Sequence, residues 1–272
     1  KKKKKKKKIK KMSLIQEKFI NSNYFYHYVN GAAGTGKKTL FMKKIDYLLN
    51  VKKISFSHLL ILSFSNKTLI NIRHNFIKNN FFNNFYINEN YESKETMSTF
   101  HSFTFRFINY FDSLFVFKKS ISSLLQEEII KNLTTQNMLC LNERIEDLIK
   151  KITSYKRFQI EKQILKRAPE LLKQFKLDFS ITDDFKKLFS LYQEYLNQNK
   201  MLDYDDLLIK TYEILKNPSH DYYMSFYANY RHIFIDEFQD INLLQYEIVN
   251  LLIKNNNYPK EEYKKTFFNL FW

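Results

Sequence analysis

All three glycines of the chain fall within six residues, at Gly31, Gly34 and Gly36. Proteins carry about 7% glycine on average, spread along their length. The clustering therefore marks one place where the backbone takes positive φ or approaches a ligand closely. The stretch from Asn30 to Thr39 reads NGAAGTGKKT, and an apolar run from Tyr24 to Val29 precedes it. Strand, G-x-x-x-x-G-K, helix is the order of a phosphate-binding loop. Successive backbone N–H groups of such a loop point at phosphate oxygens, and the dipole of the following helix adds to the attraction. Gly31, Ala32, Ala33, Gly34, Thr35, Gly36, Lys37, Lys38 and Thr39 form the expected triphosphate cradle, with Lys37 reaching the β- and γ-phosphates. A glycine-rich turn that happens to precede a lysine is the bland alternative. The lack of glycine anywhere else counts against it.

One position departs from the pattern. The residue after the loop lysine is ordinarily Ser or Thr, whose hydroxyl ligates Mg²⁺. Here it is Lys38, and Thr39 comes one residue later. Successive helical residues point about 100° apart, so Thr39 is a poor substitute as a metal ligand. A second ammonium at that place is expected to repel Mg²⁺ and to weaken hydrolysis while leaving nucleotide binding possible.

A second stretch supplies acids. Residues 233–240 read IFIDEFQD, an apolar strand running into Asp236 and Glu237. At the carboxyl end of a parallel strand both carboxylates would face a phosphate crevice. One acid would hold Mg²⁺ and its neighbour would polarise the attacking water. An acidic helix cap is the competing reading, since Asp and Glu are common there. The phosphate loop far upstream tips the balance towards chemistry.

Positioning these residues requires strands that end at the loop and at the acids. Apolar periodicity predicts a helix over 13–22, a strand over 24–29, a helix over 37–50, a strand over 58–63 and a helix over 66–78. Residues 81–95 read as polar and irregular. A short strand is expected at 96–99 and a helix at 100–111, and residues 120–199 read as helical throughout. A helix over 202–216, a strand over 231–235 and a helix over 241–254 follow. Strand–helix alternation around a helical insertion implies an α/β fold with a parallel sheet.

The ordered motifs resemble the UvrD/Rep family of superfamily 1 DNA helicases. DEFQD has the form of that family's acidic motif. Gln16 lies 21 residues before Lys37, where the family has an adenine-reading glutamine. Residues 61–67 (ILSFSNK), followed by Arg73, and residues 99–102 (TFHS) resemble its DNA-contact motifs, and residues 203–208 (DYDDLL) resemble its D-F-D-D-L element. The resemblance implies a RecA-like P-loop domain with a parallel sheet (1A) and an inserted all-helical subdomain (1B), the second RecA-like domain missing. The implied division is a disordered basic arm at 1–12, the first part of the ATPase domain at 13–118, the helical insertion at 119–200, the second part at 201–254 and a diverged tail at 255–272. Implied cofactors are ATP and Mg²⁺.

The resemblance also assigns roles. Gln16 would bond the adenine edge. Asp236 would hold Mg²⁺, Glu237 would be the catalytic base, and Gln239 would sense the γ-phosphate or link it to DNA. Phe64, Ser65, Asn66, Lys67, Phe100 and His101 would touch single-stranded DNA. Phe64 and His101 also have plain structural readings, as a core aromatic and a structural hydrogen-bonder. Asp205 and Asp206 read as a solvated acidic cluster that starts a helix. The implied activity is ATP-dependent movement on single-stranded DNA in repair or replication. A missing C-terminal region or a second protein would supply the other RecA-like domain, and the isolated chain is expected to bind ATP and DNA without unwinding. A degenerate nucleotide- or DNA-binding module that does not hydrolyse is the other reading.

Bulk composition adds less. Of the net charge of +17, ten lysines in residues 1–11 account for ten, leaving +7 for the rest. That surplus favours a polyanionic partner such as nucleic acid. Met12 is the expected start, with the lysine run upstream of it. The 27 Phe and 19 Tyr, with abundant Lys, Asn and Ile, fit an AT-rich coding sequence. Cys140 is the only cysteine, so no intrachain disulfide can form, and an intracellular, cytoplasmic setting is expected. No membrane span is expected.

Overall fold

A computed structural model describes residues 13–22, 26–29, 34–78, 96–111, 119–217, 230–254 and 266–270. Two compact units divide them: one within Lys1–Ser98, Asn229–Asp240 and Tyr258–Trp272, the other within Thr99–Ala228 and Ile241–Asn257. Among the described residues no helix is long and apolar enough to cross a membrane.

The first unit is α/β. Helix α1 (Leu14–Asn21) leads to strand β1 (Tyr26–Val29), helix α2 (Lys37–Asp46), strand β2 (Leu59–Ser63), helix α3 (Asn66–Lys78) and strand β3 (Met97–Thr99). Later in the chain come β6 (His232–Asp236) and β7 (Thr266–Leu270). The sheet runs β1–β7–β6–β2–β3, and the pairs β1–β7, β7–β6 and β6–β2 are parallel. Every residue of β2 and β6 is buried. Continuous apolar runs of this kind belong to strands covered on both faces, as in parallel sheets flanked by helices. Phe41 and Ile45 of α2, Ile72 and Phe76 of α3, and Phe234 of β6 share one core. The Phe41 and Phe234 rings meet edge to face at 5.3 Å between centroids.

Two elements differ from expectation. The helix expected over 37–50 is α-helical only to Asp46, and residues Tyr47–Val51 continue it as a π-turn. The segment expected to be a diverged tail supplies β7, a strand flanked by β1 and β6. Register carries Phe267 beside both Tyr26 and Ile233. The polar stretch 81–95 lies outside the described residues.

Helix α1 is capped at both ends. Ser13 and Gln16 form a reciprocal capping box at its start. At its finish the buried Lys44 ammonium, on α2, donates to the carbonyls of Ile20 (2.6 Å), Ser22 (2.7 Å) and Phe19 (3.4 Å). A cation at a helix carboxyl end satisfies orphan carbonyls and complements the dipole. Burial, with Lys52 adding to it, pushes the Lys44 ammonium from 10.5 down to about 8. Unfolded chains then bind this proton more readily between about 8 and 10.5, so the group's contribution to stability rises as pH climbs through that window. Lys44→Met should cost about 2 kcal/mol at neutral pH, because carbonyls at the helix end lose their donor. The gap between parent and variant should widen from pH 8 to pH 10 in urea melts. A gap that stays constant with pH would contradict the assignment.

The second unit is mainly helical: α4 (Phe100–Phe111), α5 (Ser123–Gln136), α6 (Ile145–Ile164), α7 (Pro169–Gln174), α8 (Asp183–Gln198), α9 (Tyr204–Lys216) and α10 (Leu243–Lys254). A short parallel pair, β4 (Lys119–Ser120) with β5 (Met201–Leu202), closes the segment from α5 to α8. Ile130, Ile152, Leu188 and Tyr192 are fully buried in its core. Arg167 reaches Glu247 of α10 at 2.5 Å.

Candidate functional site

Gly36 is the N-cap of α2 with φ 92°, and Gly34 has φ 79°. Both are left-handed conformations that residues with a Cβ adopt only at a cost. Open space surrounds a Cβ built at either position, so the constraint is the backbone and not crowding. Among the described residues no side chain caps α2. A helix start whose N-cap is glycine suits an anion. Gly31, Ala32 and Ala33, the earlier part of the expected cradle, lie outside the described residues.

The two chemical stretches meet. Lys38, on the first turn of α2, places its Nζ 3.4 Å from Glu237 Oε1 and 3.8 Å from Asp236 Oδ2. Asp236 ends β6 with 3% exposure, whereas the Lys38 side chain is 60% exposed. Burial raises the Asp236 carboxyl above its ordinary value, against the pull of Lys38 and with the push of Glu237. Asp236 Oδ2 is buried and accepts no hydrogen bond among the described residues. Glu237 is lowered, first by the Gln239 amide, which donates to its Oε2 at 2.7 Å, and further by Lys38 and Lys37. Glu237 has φ 53°. A non-glycine residue in this region is a strained backbone that surrounding structure must hold. A cleft beside these acids is lined by Lys38, Phe41 and Met42 of α2, by Thr68 and Asn71 of α3, and by Asp236.

Other expected site residues fall variously. Gln16 spends its Oε1 on the Ser13 N–H at 3.1 Å, which leaves its amide N–H groups for another partner. The S-x-x-Q signature that announces this cap was present in the sequence. Thr39 is exposed one position beyond Lys38, so the residue facing the acids is the ammonium and not a hydroxyl. Phe64 is 55% exposed at the end of β2, which sets aside its core reading. Ser65 Oγ accepts from Thr68 N at 3.2 Å and starts α3, whose first residues Asn66 and Lys67 are exposed. Phe100 is 2% exposed, a correction to its expected DNA contact, since a buried ring has no face open to a base. His101 is half-buried, 4.9 Å ring to ring from Tyr204, and burial followed by Arg157 lowers its pKa.

The donor set can be tested against a divalent cation. Mg²⁺ favours one or two carboxylates together with a loop hydroxyl and phosphate oxygens. The buried, unbonded Asp236 Oδ2 fits that scheme. The loop position does not, because it carries an ammonium already paired with both acids. No cluster of three or more His, Cys, Asp or Glu suited to a metal occurs among the described residues.

Residues 12–267 match the model of the UvrD/REP helicase N-terminal domain. The chain belongs to the UvrD/REP helicase family. It is 28% identical over 248 residues to a Mycoplasma genitalium protein named "Probable DNA helicase II homolog", covering 89% of this chain and 33% of that one. To the ATP-dependent DNA helicase Rep of Buchnera aphidicola subsp. Acyrthosiphon pisum it is 27% identical over 237 residues, covering 83% and 33%. To the ATP-dependent DNA helicase SRS2 of Saccharomyces cerevisiae it is 24% identical over 250 residues, covering 83% and 20%. This UvrD/REP chain thus spans a third or less of these relatives' lengths.

Proposed function

We propose that this chain is the ATP-binding N-terminal portion of an ATP-dependent DNA helicase that couples hydrolysis to movement on single-stranded DNA. One observation carries the reading: the helix that follows the glycine loop meets the acidic pair at the end of β6 within 3.4–3.8 Å. Two sides of a triphosphate crevice require that meeting. The first-turn N–H groups of α2 and Lys37 hold the phosphates, Glu237 orients the attacking water, and Gln239 holds Glu237 through the 2.7 Å bond. Asp236 is the carboxylate for a divalent cation, which would supply charge neutralisation on the phosphates.

Exposed Phe64 offers a ring for base stacking, and Ser65, Asn66 and Lys67 lie beside it to engage phosphates. His101 stays a candidate on the DNA track. Alone, the chain binds ATP and single-stranded DNA but does not separate strands, since unwinding needs a second domain moving against the first. A labelled oligonucleotide should bind with an affinity that falls steeply with salt. Phe64→Ala should weaken it by about 1–3 kcal/mol. Strand separation by the isolated chain, or DNA binding indifferent to salt and to Phe64, would refute the proposal.

A second reading is favoured by the Lys38 ion pair: a nucleotide-binding module that does not hydrolyse, acting through a partner. Single-turnover measurements with ATP, with and without single-stranded DNA, separate the two. DNA-stimulated turnover supports the motor, and tight binding without turnover supports the module.

A further inference from the structure

We propose that the Lys38 ammonium is a built-in counter-ion that takes the place of the divalent cation, so that this chain binds nucleoside triphosphate in its metal-free form. The inference rests on the second reading above, a nucleotide-binding module that does not hydrolyse, in which Asp236 holds Lys38 and no metal, and it goes beyond that reading by naming the ionic form of the ligand.

Lys38 stands where a hydroxyl would otherwise help hold the metal. Its Nζ lies near both carboxylates, at 3.4 Å from Glu237 and 3.8 Å from Asp236. These are the groups a divalent ion would use. Asp236 Oδ2 has no hydrogen-bond donor among the described residues, so this ammonium is the cation that offsets it. A metal coordinated by Asp236 would sit within a few ångströms of a fixed positive charge. Like charges a few ångströms apart repel, so metal entry requires Lys38 to leave.

The side chain is able to swing, being 60% exposed on a flexible four-carbon stem. In the resting site the ammonium pairs with the acids. With a triphosphate present, the same ammonium lies on the first turn of α2, at the end of the helix where the phosphates dock, and bridges them to Asp236. Lys37 serves the phosphates with or without a metal, so Lys38 supplies one positive charge where a magnesium ion would bring two. Glu237, paired to Lys38, is also withheld from orienting water, which keeps turnover slow without weakening binding.

Calorimetric titration of the full chain with ATP, in excess EDTA and in excess Mg²⁺, tests the proposal. Parent affinity should agree within about twofold between the two media, because the ammonium already neutralises the site. Lys38→Thr restores the hydroxyl and should gain at least about tenfold in affinity on adding Mg²⁺. Lys38→Met, which offers neither group, should bind more weakly than the parent in EDTA. Circular dichroism of both variants checks folding, which an exposed side chain is not expected to alter. A parent that gains tenfold on adding Mg²⁺, or a Lys38→Met that matches it in EDTA, would overturn the inference while leaving the nucleotide reading standing. Failure of all three proteins to bind ATP in either medium would overturn the nucleotide reading, and this inference with it.

Discussion

Lys156→Met should destabilise the helical unit by about 3–5 kcal/mol, the range for a buried charge that loses its partner. Lys156 of α6 is 4% exposed and bonds Asp203 at 2.5 Å and Asp206 at 2.8 Å, at the start of α9. The Tyr192 hydroxyl, from α8, donates to Asp203 Oδ2 at 2.9 Å, and the Gln126 amide of α5 donates to Tyr192 at 3.0 Å. Side chains of α6 and α8 therefore converge on the carboxylate that caps α9, and α5 joins through Tyr192. Burial works against the Asp203 carboxylate, yet Lys156 and its hydrogen bonds bring it below its ordinary value. Asp206, opposed by burial and then by the Asp203 charge, is pushed up to about 7.

One ammonium thus faces one carboxylate below that pH and two above it. Because the folded pKa of Asp206 exceeds its unfolded value, folded chains bind more protons between about 3.8 and 7. Stability from this group is present in acid and is lost as pH rises through 7. Chemical denaturation should find the parent less stable at pH 8 than at pH 6, and Asp206→Asn should flatten that slope. Lys156→Met should lower the midpoint at both values. If Lys156→Met costs under about 1 kcal/mol, in the range of a surface pair, the network does not hold the helices together.

That network shows where sequence reading runs out. From the sequence, Asp205 and Asp206 read as a solvated, helix-starting cluster. Helix-starting is right, since Asp203 and Asp206 form a capping box at α9. Solvated is wrong, since Asp205 is 9% exposed and the Asp206 side chain, 16% exposed, is paired with Lys156. Charge type is visible in a sequence, but a compensating partner 47 residues earlier is not. The same limit hid β7. A strand in the slot between β1 and β6 is defined by its neighbours, and Thr266–Leu270 has no alternating pattern or turn signal of its own. The π-turn after Asp46 was likewise invisible, because Leu48 and Leu49 are buried whether the backbone bonds to the fourth or the fifth residue back.

Where local signal was strong, structure follows it closely. Helix α3 spans Asn66–Lys78 and α4 spans Phe100–Phe111, both as the apolar spacing predicts. The all-buried strand β6 reads directly as IFI running into Asp236. Lys38 was legible as an intruder at a metal position. Its pairing with both acids was not, because that depends on how α2 lies against the end of β6.

On the proposed nucleotide reading, Lys37→Met should weaken ATP binding by about 3 kcal/mol, or roughly 100-fold, the scale for losing one partner of a desolvated charge pair. Lys37 begins α2, directly after the left-handed Gly36. On that reading its backbone N–H and its ammonium would both serve an anion at the helix start, dipole and point charge together. Methionine keeps the stem and the helix propensity, so the variant removes only the charge. Gly36→Ala separates the backbone from the ammonium. It keeps Lys37 but forces a Cβ into φ 92°, so the loop must either strain, at a cost of about 1–2 kcal/mol, or relax away from its cradle shape. Both substitutions should weaken ATP and inorganic triphosphate alike, because neither touches the base. Adenosine, which has no phosphate, should be unaffected by either. A fluorescent ATP analogue in competition with all three ligands reads this directly. If Lys37→Met bound ATP as the parent does, the glycine loop would not be a phosphate site, and the meeting of α2 with Asp236 and Glu237 would be an ion pair that only holds the fold together.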